Sequence, residues 1–173
     1  MMQWAQERSA VQERVRAELQ ALRSKVAGIR GCLVATNDGM LVAHDFPGAD
    51  PMRLAALVST ALGLARQAVS ETGRGLLREA VARGTSGYLM VYAAGDGALV
   101  AIAADDQTQA GKMQFEARQT VARITAYSSA FPAWSSIDHL TGNSNISPEE
   151  LRLRSLPDLG INGLPVRKTD ETS

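Results

Sequence analysis

The stretch from Leu54 to Ala65 contains no charged residue, and Arg53 and Arg66 bound it. Asp50 followed by Pro51 opens the run. A short acidic side chain accepts from the free amides of a first helical turn, and proline is tolerated where no amide is needed, so a helix is predicted over 51–72, stopping at Gly73. Its apolar residues do not fall on a single stripe. One face holds Leu54, Leu57, Val58, Ala61, Ala65 and Ala68, and a second holds Met52, Ala56, Ser59, Leu62 and Gly63. A helix that is apolar nearly all round is covered on more than one side. The first face is read as the core face. The second, small and apolar, is read as a contact with another chain, with Ala56, Ser59 and Gly63 allowing close helix approach; cover by the chain's own tail or another helix is the alternative.

The other elements follow from periodicity and punctuation. Val11, Val15, Leu19, Leu22 and Val26 recur on one helical face, Ser9 with Gln12 resembles a capping box, and Gly28 is a stop, so a helix is expected over 10–27. Ile29–Thr36 and Met40–His44 flank Asn37-Asp38-Gly39, a hairpin signal. After the central helix come three strand-like runs, Leu76–Arg83, Tyr88–Ala93 and Ala98–Ala103, joined by short glycine-containing links. Links this short imply antiparallel neighbours, since parallel strands need long crossovers. A last helix is expected from Thr108 to about Ala130, with Met113, Ala117, Val121, Ile124 and Tyr127 or Ser128 as its stripe and Asp106 or Thr108 as its cap. The predicted order is α-β-β-α-β-β-β-α.

Beyond Phe131 the character changes, with four of the six prolines there and periodicity fading. The chain is therefore divided into an N-terminal arm (1–9), a domain (10–130) and a Pro/Ser/Asn-rich extension (131–173), with a short helix near 148–156 opened by Ser147-Pro148-Glu149-Glu150. Trp134, Ile137, Leu140, Leu151, Leu153 and Leu156 are apolar enough for the extension to dock, on its own domain in the preferred reading and on a partner in the other.

Composition removes several function classes. Eighteen basic and eighteen acidic residues leave no net charge, which argues against a nucleic-acid binder or a polybasic membrane-surface protein. The first eight residues contain no apolar run and no stretch approaches a membrane span, so neither a signal peptide nor membrane insertion is expected, and a cytoplasmic location is. One cysteine, Cys32, and two histidines, His44 and His139, leave too little for a cysteine- or histidine-based metal site. Cys32 with His44 as base is the one nucleophile pair available, but Cys32 lies in the apolar run Gly31–Ala35 and is read as a core residue. Asp105-Asp106 is read as helix capping rather than a cation site. The glycine pairs Gly73-Arg74-Gly75 and Gly95-Asp96-Gly97 are read as turns, since both lack the fingerprints of phosphate and dinucleotide loops. No catalytic residue, cofactor or metal is expected.

The first strand and turn, Gly28 to Ala43, the Ala/Leu-rich central helix, and the strands Gly87–Tyr92 and Ala98–Ala103 together resemble the Roadblock/LAMTOR family, which includes the dynein roadblock light chains and bacterial Mgl-type GTPase regulators. The resemblance covers about 10–130. It implies a five-stranded antiparallel sheet sandwiched by helices, and a homodimer or a pair with a like domain. In such a pair the third strand joins its mate, placing Leu77, Glu79 and Val81 at the seam beside the central-helix residues Met52, Ala56, Ser59, Leu62 and Gly63. It further implies binding to a Ras-like small GTPase, as activator or scaffold, without chemistry of the chain's own. Arg53 and Arg66 are then the candidate GTPase-contacting residues, as one arginine can stabilise phosphoryl-transfer charge. A ligand-sensing domain and a purely structural dimerisation module are the alternatives.

Overall fold

The computed structural model describes the backbone of residues 2–128 and the side chains of 6–128. The expectations for 129–173, including the short helix near 148–156, lie outside the described residues. The elements are α1 (Met2–Lys25), β1 (Ile29–Thr36), β2 (Leu41–Asp45), α2 (Pro51–Glu71), β3 (Glu79–Gly84), β4 (Gly87–Ala94), β5 (Ala98–Asp105) and α3 (Ala110–Thr125). The order is the one read from the sequence.

All strand pairings are antiparallel, and the sheet order is β2-β1-β5-β4-β3. The central strands are buried on both faces, which is why Cys32–Ala35 and Ala98–Ala101 read as continuous apolar runs rather than alternating ones. One face of the sheet carries Cys32, Val34, Met90, Tyr92, Val100 and Ile102. It packs against Val15, Leu19, Leu22 and Val26 of α1 and Met113, Ala117 and Ile124 of α3. The opposite face carries Leu33, Ala35, Val91, Leu99 and Ala101 and packs against Ala55, Val58 and Leu62 of α2. The fold is thus a three-layer sandwich with two helices on one face and one on the other.

That imbalance has a geometric consequence. Strands spaced ~4.8 Å apart make a five-stranded sheet ~19 Å wide between its outer strands, whereas one helix is only ~10 Å across. On the α2 side the β3 flank of the sheet is left thinly covered.

Several boundaries differ from expectation, among them the end of the last helix, which stops at Thr125 rather than near Ala130. Helix α1 begins at Met2, so the Ser9–Gln12 pair sits inside the helix instead of capping it, and the segment read as an arm forms the first turns. Strand β3 begins at Glu79, three residues later than Leu76. Helix α3 begins at Ala110 with Gln109 as N-cap and no capping side-chain bond. Neither Asp106 nor Thr108 caps it: Asp106 is engaged by Arg83 at 2.7 Å, and Thr108 is buried against Gly28. The predicted start of α2 holds, with the Asp50 side chain accepting from the amides of Met52 and Arg53 at 3.1 and 3.2 Å.

The β1–β2 turn is fixed against α2. Gly39 has φ +91, and a Cβ there would sit 2.9 Å from Ser59 Oγ and 3.2 Å from Ala56 Cα. Only glycine meets both demands, a left-handed backbone and a close helix approach.

Candidate interaction surface

Helix α2 divides its residues in a way the sequence did not resolve. Ala55, Val58, Ser59 and Leu62 are the buried ones, so Ser59 and Leu62, expected at a partner interface, face this chain's own sheet instead. Burial of Ser59 is tolerable because its hydroxyl donates to Ala56 O at 3.0 Å. Conversely Leu57, Ala61 and Ala68, assigned to the core, are exposed. Met52, Ala56 and Gly63 are exposed, as a partner-facing role requires.

The exposed apolar residues of α2 are ordered. Leu57, Ala61, Leu64 and Ala68 follow spacings of four, three and four, the repeat that keeps a seam on one side of a helix. Leu64 is 64% exposed in this position. Exposed leucines scattered singly are ordinary, but a seam at this spacing on a helix whose opposite side is already packed is a surface awaiting cover.

At the flank of the sheet away from β2, strand β3 ends the sheet and pairs with β4 alone. Its outer edge presents a row of backbone donors and acceptors to solvent, a template for another strand. Val81 is exposed on it. Leu77 is half-buried against the α2-side core, and Glu79 is half-buried with a carboxylate 3.6 Å from Arg118. These two predicted seam residues are therefore partly engaged within the chain already. Leading into β3, Gly73 and Gly75 both have positive φ, and Leu76 stands 94% exposed. A depression of about 860 Å³ opens there, lined by Val69, Arg74, Leu76, Leu77, Arg78, Glu79 and Ala93. A second, of about 480 Å³, shares Leu76, Leu77 and Ala93 and adds Arg66, Ser70, Gly75, Gly95 and Asp96. The sequence placed Leu76 in the strand and gave Arg74 and Arg78 no role at a site, although Gly73-Arg74-Gly75 reads as the turn that carries the chain away from regular structure just before the edge.

The two candidate arginines are not brought together. Arg53 is exposed, whereas Arg66 is half-buried at the rim of the smaller depression. Thirteen residues apart on a helix of 3.6 residues per turn, they point ~140° from one another.

The chemical alternatives fare poorly. Cys32 is fully buried, and burial pushes its thiol up to about 12, far from thiolate at neutral pH. It lies opposite Asp45, while Leu33 lies opposite His44, so the alternation of the strand sends the Cys32 and His44 side chains to opposite faces. Asp105 is held by Arg30 at 2.5–2.8 Å, and that hydrogen bond lowers its carboxyl below the usual range. Among the described residues no group of three or more His, Cys, Asp or Glu is placed to hold a metal, and no helix is long and apolar enough to cross a membrane.

The Roadblock/LC7 domain profile matches residues 16–104, more than half of the chain. The chain belongs to the Roadblock/LC7 domain family. As a Roadblock/LC7 domain it is 30% identical over 104 residues to an uncharacterized protein of Methanocaldococcus jannaschii, covering 60% of this chain and 90% of the relative. Among solved structures it is similar to a Roadblock/LC7 domain from Streptomyces avermitilis, with a TM-score of 0.61 and 26% identity over 65% of this chain and 95% of that one. It is also similar to the gliding protein MglB from Thermus thermophilus, with a TM-score of 0.61 and 25% identity over 68% of this chain and 93% of that one. Myxococcus xanthus MglB shares the fold at a TM-score of 0.63 and 15% identity, covering 68% of this chain and 90% of that one.

Proposed function

We propose that this Roadblock/LC7 domain is a non-enzymatic, dimeric, cytoplasmic regulator or scaffold that binds a Ras-like small GTPase. The observation that carries the reading is that two surfaces are left unfinished, the open β3 edge and the outward seam of α2. Antiparallel pairing of β3 with the β3 of a second copy continues the sheet and draws the two α2 helices side by side. Met52, Ala56 and Gly63 then belong to the joint surface together with Leu57, Ala61, Leu64 and Val81, while Ser59 and Leu62 do not. A two-fold pairing presents every such contact twice, so modest apolar patches suffice.

The paired α2 helices form the platform for the GTPase, with Arg53 exposed on it and Arg66 at its margin. A GTPase-activating effect needs no catalytic residue from this chain. Preferential binding to the hydrolysis-competent conformation of the GTPase shifts its population toward that state. Dimer formation alone fits equally a structural module, and the test separates the two. Light scattering is to give the mass in solution, and capture from native lysate with and without a non-hydrolysable GTP analogue is to be followed by rebinding of the identified GTPase in purified form. Nucleotide-dependent rebinding, with single-turnover hydrolysis changed, supports the regulator. A dimer that holds no GTPase in either state leaves the structural module, and a monomer that binds none refutes the proposal.

A further inference from the structure

The outer edge of β3 carries a pattern of its own. The backbone carbonyl of Arg78 accepts from the Ala93 amide at 3.1 Å, so residue 78 turns its polar groups toward β4. Along an antiparallel pair, residues that exchange hydrogen bonds alternate with residues that do not. Ala80, Ala82 and Gly84 therefore bond to β4, and the amides and carbonyls of Glu79, Val81 and Arg83 point away from the sheet. The side chains of these three also share one face. Glu79 lies opposite Tyr92 and Val81 opposite Met90, both in the core under α1 and α3. Arg83 lies opposite Tyr88, with its guanidinium 4.8 Å from the centre of that ring.

The free edge thus reads acid, valine, base, and reversing the strand about Val81 exchanges the acid for the base. Two copies running antiparallel through a two-fold axis at Val81 set Glu79 of each against Arg83 of the other. Opposite charges facing across two strands are favourable, and like charges there are not. An axis at Glu79 or at Arg83 sets like charges face to face. An axis at Ala80 or Ala82 leaves charges and outward backbone groups unmatched. With the axis at Val81, every outward amide and carbonyl of the three residues finds a partner. Glu79 already lies 3.6 Å from Arg118, and Arg83 lies 2.7 Å from Asp106. The seam then joins Arg118 and Glu79 of one copy to Arg83 and Asp106 of the other, alternating in sign. We infer that the β3 edge is self-complementary, registered Val81 to Val81 and Glu79 to Arg83, so that in the dimer proposed above, on which this register rests, the mate is a second copy of this chain. A like domain without that acid and base leaves this chain's charges unmatched.

The test uses charge reversal in the full chain, read by sedimentation over a dilution series. Glu79→Arg alone and Arg83→Glu alone are each expected to raise the self-association Kd about tenfold, because the two-fold repeats the repulsion. A one-to-one mixture of these two variants is expected to associate at about the wild-type strength, since every facing pair is again opposite in sign. Each variant brings the same intrachain neighbours to its own pair and to the mixture, so the gain on mixing reads the seam alone. Val81→Cys is expected to link copy to copy under mild oxidation, because facing hydrogen-bonded residues lie ~5.5 Å apart at Cα, within disulfide range. Glu79→Cys alone is expected not to link, and buried Cys32 takes no part. A wild-type chain that stays monomeric throughout overturns the dimer itself. A dimer whose single variants gain nothing on mixing overturns the register and leaves the dimer standing. So does a Glu79→Arg chain that pairs best with the wild type, or a Glu79→Cys chain that links where Val81→Cys does not.

Discussion

Two leucines one half-turn apart on α2 test the division of that helix. Leu62 is 1% exposed against the sheet, and Leu64 is 64% exposed on the other side. Leu62→Ala removes packed methyl groups and leaves a cavity, at a cost of about 2–5 kcal/mol of folding stability at any protein concentration. Leu64→Ala has no such cavity to create, and in the isolated chain it costs less than about 0.5 kcal/mol. Its effect belongs to association. Burying a whole leucine side chain is worth about 1.5–3 kcal/mol, and covering the 64% of Leu64 that remains open is worth about 1–2 kcal/mol per copy. A two-fold interface contains the residue twice, so the dimer loses about 2–4 kcal/mol, a dissociation constant raised roughly 30- to 1000-fold. Urea unfolding at high dilution reads the first quantity, and sedimentation or light scattering over a dilution series reads the second. A Leu62→Ala variant of unaltered stability refutes the face assignment, and a Leu64→Ala variant with unaltered association refutes the seam.

Three further outcomes follow from the same structure. Val81→Lys on the open edge of β3 is expected to weaken association at least tenfold while leaving the urea midpoint at high dilution unchanged, since a lysine on an edge strand opposes strand addition. Asp50→Ala removes the carboxylate that accepts from Met52 and Arg53, and the unfolding free energy is expected to fall by about 1 kcal/mol in a denaturant titration. Cys32 and Tyr92 are both raised to about 12 by burial, from ordinary values of 9.0 and 10.0. Each folded-state value lies above the unfolded one, so the native state holds the extra proton. Stability from these groups is present below pH 9 and is lost as pH rises from 9 toward 12, which an alkaline unfolding curve with and without Cys32→Ala is expected to display.

The element order was legible because its signals are local. Asp50-Pro51 starts α2, Gly39 turns the first hairpin, and the glycines at 84, 87, 95 and 97 mark the ends of strands. The faces of α2 were not legible for a physical reason. When leucine, valine and alanine occur all round a helix, periodicity supplies no direction, and the choice is made by where Gly39 and the sheet lie. That contact draws Ser59 inward, against its expected place in a contact with another chain. The late start of β3 has a similar origin. Leu76 and Leu77 look like strand residues, but two positive-φ glycines set the path of the chain before them. For the start of α1, Ser9 resembled a cap because capping side chains are also tolerated within a helix, and only the helix itself distinguishes the two.

The pairing of β1 with β5 bears on how the protein is made. Ile29 is registered with Ala104 and Thr36 with Ala98, so the two central strands of the sheet are separated by most of the domain's length. A ribosome adding ~5–20 residues per second takes roughly 3–14 s between releasing the end of β1 and delivering all of β5. Throughout that interval Cys32–Ala35 has a neighbour on the β2 side only. The nascent α1–β1–β2–α2 half therefore emerges with the middle of its future sheet open, and closure waits for Asp105. A stalled or truncated chain ending before β5 exposes the apolar run Cys32–Ala35 of β1 along an unpaired edge, which makes such fragments substrates for chaperones and proteases rather than stable half-domains.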